Sequence, residues 1–242
     1  MPDSEPEMTV LTPSQIESYH RDGFVLVDDV FPLTELEAIN REIDRLRKEK
    51  ADDDTNQSDI ILRLGLKSEL TRKVCCDDRI LALIEDLVHP GIAIYSAKLF
   101  EKRPHDTMIC HWHQDDAYYQ QNSYCGCRMS VWIPLQDCDE DNGCVWVLPG
   151  SHRDGLKPAR MIGDNSGHCE LAFAGGNTEF EGARPVPIKA GSVLLFHALT
   201  AHRSLGNQTD RPRRSFMVSY QDALTARGNK DQHKILRPAV PA

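Results

Sequence analysis

Two histidines and an aspartate stand out by type and spacing. In His111-Trp112-His113-Gln114-Asp115, one residue separates His113 from Asp115. In a strand, residues i and i+2 project from the same face. One imidazole nitrogen and one carboxylate oxygen could then meet at a metal ion, at about 2.0–2.2 Å. A third ligand must come from elsewhere, and His202 follows 87 residues after Asp115, beyond the apolar run Val193–Phe196. Two histidines and one carboxylate occupy one face of an octahedron and leave the other open, the ligand set of non-haem Fe(II) oxygenases. His111 would share the strand face of His113, but using it as a ligand would forfeit the His-x-Asp pair. It reads instead as a strand-edge or substrate-proximal residue.

A His-x-Asp pair recurs by chance, so its company matters. Arg213 lies eleven residues after His202, across the turn-forming Gly206-Asn207-Gln208-Thr209-Asp210. If His202 ends one strand and Arg213 begins the next, the guanidinium returns to the same cavity. There it can clamp a carboxylate through two parallel hydrogen bonds. Arg214 competes by residue type, but neighbours in a strand face opposite ways. Tyr118 and Tyr119, just past the metal pair, and Trp146 are candidate substrate contacts.

Positioning these groups requires a rigid scaffold. The first 90 residues read as helices around a short strand. Thr12-Pro13-Ser14-Gln15 has the form of a capping box with proline at the first helical position, and Asp22-Gly23 ends that helix. Phe24–Val30 reads as a strand. Leu33, Leu36, Ile39, Ile43 and Leu46 follow at helical spacing, and a third helix is expected over Ser68–Val88. The acidic stretch Ala51–Asp59 reads as a loop. After Pro90-Gly91 the texture changes to short strands: Ile92–Phe100, Cys127–Leu135, Cys144–Leu148, Val186–Lys189, Ser192–His197 and Ser215–Gln221. The expected fold is mainly β with flanking helices: residues 1–90 a helical flank, 91–222 a sandwich or barrel core, 223–242 a C-terminal tail. Within the core, the glycine-rich residues 153–185 are too long for a simple connection and form a candidate lid.

Charge and composition narrow the function. The chain has 242 residues with 28 Lys plus Arg against 37 Asp plus Glu, a net charge of −9. That opposes general nucleic-acid binding and polybasic membrane attachment. No apolar run approaches the roughly 20 residues of a membrane helix, and the N-terminus has no apolar signal core. The expectation is a soluble cytoplasmic protein with a small-molecule substrate. Its oligomeric state is not written in the sequence. Eight cysteines without a secretion signal are expected to be reduced.

Several segments in order carry a family resemblance. They are His113-Gln114-Asp115, Val131-Trp132-Ile133-Pro134-Leu135, Asp141-Asn142-Gly143-Cys144, Val147-Leu148-Pro149-Gly150-Ser151-His152, Ala190-Gly191-Ser192-Val193-Leu194-Leu195-Phe196-His197, and His202-Arg203-Ser204 through Asn207 to Arg213. From about Leu11 to Gln221 the chain resembles the phytanoyl-CoA dioxygenase family of Fe(II)/2-oxoglutarate oxygenases. The resemblance implies a double-stranded β-helix, the jelly roll, with His113, Asp115 and His202 as iron ligands. It implies that Arg213 and Ser204 receive the distal carboxylate of 2-oxoglutarate, that Trp132 lines the cosubstrate pocket, and that Lys98 lies on a strand facing it. It further implies consumption of O2 and conversion of 2-oxoglutarate to succinate and CO2, coupled to oxidation of a small metabolite or natural-product intermediate. Halogenating relatives replace the carboxylate ligand with a small residue; Asp115 favours hydroxylation. The competing functions are a non-catalytic metal- or ligand-binding jelly roll, distinguished by the absence of cosubstrate turnover, and a zinc-dependent hydrolase, which would not need Arg213.

Overall fold

A computed structural model describes residues 10–49, 60–122, 127–162, 169–176, 179–224, 226 and 234–239, with only the backbone course for 119–122. The expected loop at 51–59 lies outside the described residues. Helix α1 (Pro13–Asp22) begins with the expected capping box: Thr12 accepts from the backbone N–H of Gln15, whose side chain accepts from the Thr12 N–H. Gly23, at φ +85°, closes the helix in the left-handed region that favours glycine. Strand β1 (Phe24–Val27) follows, then helix α2 (Leu33–Glu49), whose inner face is Leu36, Ile39, Ile43 and Leu46. Leu33, read as part of that face, is exposed at the first helical position.

Strand β2 (Ile60–Leu62) is absent from the sequence reading. The helix expected over 68–88 divides into α3 (Glu69–Cys75) and α4 (Asp78–Ile84). The break is chemical: the Asp77 carboxylate accepts from the Arg79 N–H and starts a new helix there.

The remaining strands are β3 (Ile92–Lys102), β4 (Cys110–His113), β5 (Arg128–Pro134), β6 (Val145–Val147), β7 (Ala159–Met161), β8 (Leu171–Phe173), β9 (Arg184–Val186), β10 (Val193–His197), β11 (His202–Ser204), β12 (Arg213–Gln221) and β13 (Lys234–Arg237). A seven-stranded sheet has the order β1-β10-β5-β12-β3-β13, with β2 also on β3. A four-stranded sheet has the order β4-β11-β6-β9, and β7 and β8 form a separate hairpin. Every pairing is antiparallel. This is the expected jelly roll. Strand β13 lies within the expected C-terminal tail and pairs with β3.

Alternation sorts the large sheet's side chains. Val131, Ile133, Leu195, Phe216 and Val218 belong to the core shared with the helices. Trp132, Leu194, Phe196 and Met217 belong to the core shared with the small sheet. The outer side of the small sheet carries Trp112, covered by Phe173 and Phe180 of the 153–185 segment. Among the described residues no helix is long and apolar enough to cross a membrane. The expectation of reduced thiols fails at one pair: Cys110 at the start of β4 is joined to Cys169, with Cα atoms 4.4 Å apart. These residues are 59 apart in sequence, so only the docking of residues 169–173 along β4 reveals the pair.

Candidate metal centre and cosubstrate pocket

The small sheet brings the metal-binding groups together. His202 on β11 pairs in register with His113 on β4, so the two imidazoles face each other with centroids 4.2 Å apart. Asp115 joins them differently from the sequence reading. Strand β4 ends at His113, and Asp115 opens a short 3-10 helix over Asp115–Asn122. The turn, rather than a continued pleat, carries its carboxylate back to the histidines. His202 also begins its strand rather than ending one. Ligand atoms of His113, Asp115 and His202 all lie within 4.8 Å of one another, with Asp115 Oδ1 3.6 Å from His202 Nε2.

Each group is held for ligation. His113 Nδ1 donates to the His111 carbonyl at 2.7 Å, and His202 Nδ1 donates to the Thr200 carbonyl at 2.9 Å. These bonds leave both Nε2 lone pairs available to a metal. Ser130 Oγ donates to Asp115 Oδ2 at 2.7 Å, leaving Oδ1 toward the histidines. Burial pushes the His113 pKa down to about 3, with His202 adding to the shift, so the ring is neutral. Burial opposes ionisation of Asp115. The two imidazoles, Lys98 and the Ser130 bond outweigh it and hold the carboxyl below its usual range. Two imidazoles and one carboxylate suit a divalent transition metal.

The triad opens into a cavity of about 380 Å³ between the sheets, whose walls include Trp132, Phe196, Met217, Ser204 and Arg213. Arg213 is 3% exposed. It donates to Ser215 Oγ at 3.1 Å, sits 5.7 Å from the Trp132 ring, and keeps a buried Nε without a hydrogen-bond partner. No carboxylate pairs with it among the described residues, and burial lowers its pKa. An uncompensated buried guanidinium is costly, so the cavity is chemically complete only with an anion. The site therefore fits both a metal and a dicarboxylate. Arg214 faces the other way and pairs with Asp44 at 2.8 Å and Glu101 at 3.3 Å.

The other expected residues divide. Tyr118 lines the cavity, edge-on to His113 at 5.7 Å, and Lys98 lines it beside Tyr118. His111 lies off the cavity wall and contributes its carbonyl. Trp146 packs with Arg203 and Trp112 on the outer side of the small sheet. The Tyr119 side chain lies outside the described residues. The sequence reading missed Ser130, although it shares the inward pleat of Trp132. It also missed Ile60, Leu62 and Phe100, which wall the cavity; these apolar residues carry no chemical signal of their own.

Residues 19–215 match the family described as phytanoyl-CoA dioxygenase (PhyH). The chain belongs to this family. Phytanoyl-CoA dioxygenase domain-containing protein 1 of Bos taurus is 24% identical over 97% of this chain and 98% of its own length. The ectoine dioxygenase of Bordetella bronchiseptica is 24% identical over 87% of this chain and 75% of its own. Among solved structures, the epimerase SnoN in complex with Fe3+, alpha ketoglutarate and nogalamycin RO is 27% identical. It covers 87% of this chain and 83% of its own, with a TM-score of 0.71. The non-heme monooxygenase ThoJ, 24% identical over 93% and 85%, shares the fold with a TM-score of 0.74. This family member is an Fe(II)/2-oxoglutarate-dependent dioxygenase that uses O2.

Proposed function

We propose that the enzyme hydroxylates a small organic metabolite or natural-product intermediate, converting 2-oxoglutarate to succinate and CO2. The observation that carries this reading is Arg213, a buried cation without a carboxylate partner among the described residues, on the wall of the cavity that holds the triad. In this reading His113, Asp115 and His202 hold the iron, which supplies the oxidising chemistry when bound. Arg213 and Ser204 receive the distal carboxylate of 2-oxoglutarate, and Trp132 walls its chain. Lys98, whose charge bears on both His113 and Asp115, contributes positive potential nearer the metal. A zinc hydrolase would leave Arg213 without a task.

Tyr118 with Ile60, Leu62 and Phe100 offers the substrate a largely apolar wall with a phenol edge. We assign residues 153–185, of which 163–168 and 177–178 lie outside the described residues, as its cover. Cys169 and Glu170 of that segment line the cavity, and the Leu171 N–H donates to the Tyr118 hydroxyl at 3.3 Å. Such a cover excludes water from an oxidising centre. The ectoine in the name of the Bordetella bronchiseptica dioxygenase and the nogalamycin RO in complex with SnoN support a small-molecule substrate.

The test is succinate formation with Fe(II), 2-oxoglutarate and O2 across a panel of small metabolites, with the oxidised product identified by mass. A substrate gaining one oxygen atom per succinate is expected. Absence of 2-oxoglutarate turnover in iron-loaded protein, with or without added substrates, would favour a non-catalytic binding role.

A further inference from the structure

Between two metal-binding residues sits a side chain with no place in the chemistry so far. Gln114 is fully buried. Its Nε2 donates to the Leu199 carbonyl at 2.7 Å and to the Gly155 carbonyl at 2.9 Å, and its Oε1 accepts from the Lys157 N–H at 2.7 Å. One carboxamide thus bonds three backbone groups from two distant segments, using both of its donor hydrogens.

The identity of those partners gives the arrangement meaning. Leu199 immediately precedes Thr200, whose carbonyl orients the His202 ring. The Gln114 backbone is continuous with His113 on one side and Asp115 on the other, so the Leu199 bond ties all three ligands into one frame. A second knot supports it: the Asp116 N–H donates to the Ala198 carbonyl, the Ala198 N–H to the Arg128 carbonyl, and Arg128 to the Asp116 carboxylate. The Gly155 and Lys157 bonds reach the start of the 153–185 segment, two residues before β7. That segment returns as Cys169 and Glu170 to the cavity wall.

We propose that Gln114 is a positioning residue that fixes the relative placement of the three metal ligands and couples it to the seating of residues 155–157. The coupling is reciprocal by thermodynamic necessity. A metal that favours the aligned triad also favours the bonded position of residues 155–157, and freeing those residues weakens the metal. This inference rests on the assignment of His113, Asp115 and His202 as ligands.

Two measurements test it, and neither uses catalytic activity. The first is Co(II) titration by absorption. Gln114→Met has similar length but makes none of the three bonds, and is expected to weaken Co(II) binding about 10- to 100-fold, the usual consequence of losing a group that orients metal ligands. Thr71→Val on α3, which removes a buried hydrogen bond to the Leu64 carbonyl, should lower the thermal midpoint and leave Co(II) affinity unchanged. The second measurement is hydrogen exchange at the Lys157 amide of the wild-type protein, which is expected to slow when Co(II) is added. It needs no variant, so it decides the matter even if Gln114→Met fails to fold. Co(II) affinity within threefold of wild type in Gln114→Met, or Lys157 exchange indifferent to metal, overturns the proposal. Full Co(II) affinity in His113→Ala would instead defeat the ligand assignment itself.

Discussion

Replacing Arg213 by methionine separates binding from stability. The wild-type guanidinium is 3% exposed, donates to the Ser215 hydroxyl, and has no carboxylate partner among the described residues. Free protein therefore bears the cost of a buried charge, which a bound dicarboxylate offsets. Methionine is close in length and apolar, so without cosubstrate the thermal midpoint should hold or rise, as when buried charges are replaced by well-packed apolar groups. In the complex the same substitution leaves the distal carboxylate buried and unpaired. Removing one partner of a buried pair costs about 3–5 kcal/mol, which corresponds to a roughly 150- to 5,000-fold weaker affinity. The assay is calorimetric titration of 2-oxoglutarate into Mn(II)-loaded protein without O2, paired with thermal melts with and without the ligand. Arg214→Ala is the control. It loses a pair with exposed Asp44 and a second with largely buried Glu101, so stability should fall by about 1–3 kcal/mol, with 2-oxoglutarate affinity intact. Affinity within threefold of wild type in Arg213→Met, or a larger loss in Arg214→Ala, would refute the reasoning and show that the inward pleat of β12 is misassigned.

Three further outcomes follow from the geometry. Ser130→Ala removes the donor to Asp115 Oδ2 and should weaken Co(II) binding by roughly 10- to 100-fold; unchanged affinity would mean that the serine does not orient the carboxylate. His197, whose pKa burial pushes down from 6.5 to about 4, stays neutral in the fold while the unfolded chain protonates. Stability should fall as pH drops from about 6.5 toward 4, by on the order of 3 kcal/mol at most. Urea midpoints of His197→Gln should show a shallower pH slope, and an identical slope would count against the shift. Adding a turned-over substrate should slow hydrogen exchange in Leu171–Phe173, and indifference there would remove residues 153–185 from the role of substrate cover.

Much of the site was legible because the relevant patterns are local. The capping box at Thr12 and Gln15 needs four residues, and it forms as read. The distinction between Arg213 and Arg214 needs only the pleat of one strand: Arg213 and Met217 share the cavity face while Arg214 and Phe216 turn toward the helices. His113 and Asp115 were close enough in sequence to suggest a common point, although a turn and not a strand makes them converge.

The tertiary structure decided what depends on docking between distant segments. His202, one of ten histidines, is named as third ligand by the sequence, but only the placement of β11 beside β4 sets it opposite His113. Residue type alone cannot supply that pairing across 89 residues. The same holds for Ser130, which is one more strand serine until β5 passes beneath Asp115, and for Gln114, whose partners lie 41 to 85 residues away. It holds for Cys110 and Cys169, which meet through the docking of residues 169–173 along β4. The helix break at Cys76-Asp77 was missed for a different reason. Apolar periodicity ran through it, and the capping hydrogen bond of Asp77 prevailed over the pattern. Side-chain period and capping follow from a few consecutive residues, whereas which strand lies beside which is settled by the packing of the two sheets as a whole.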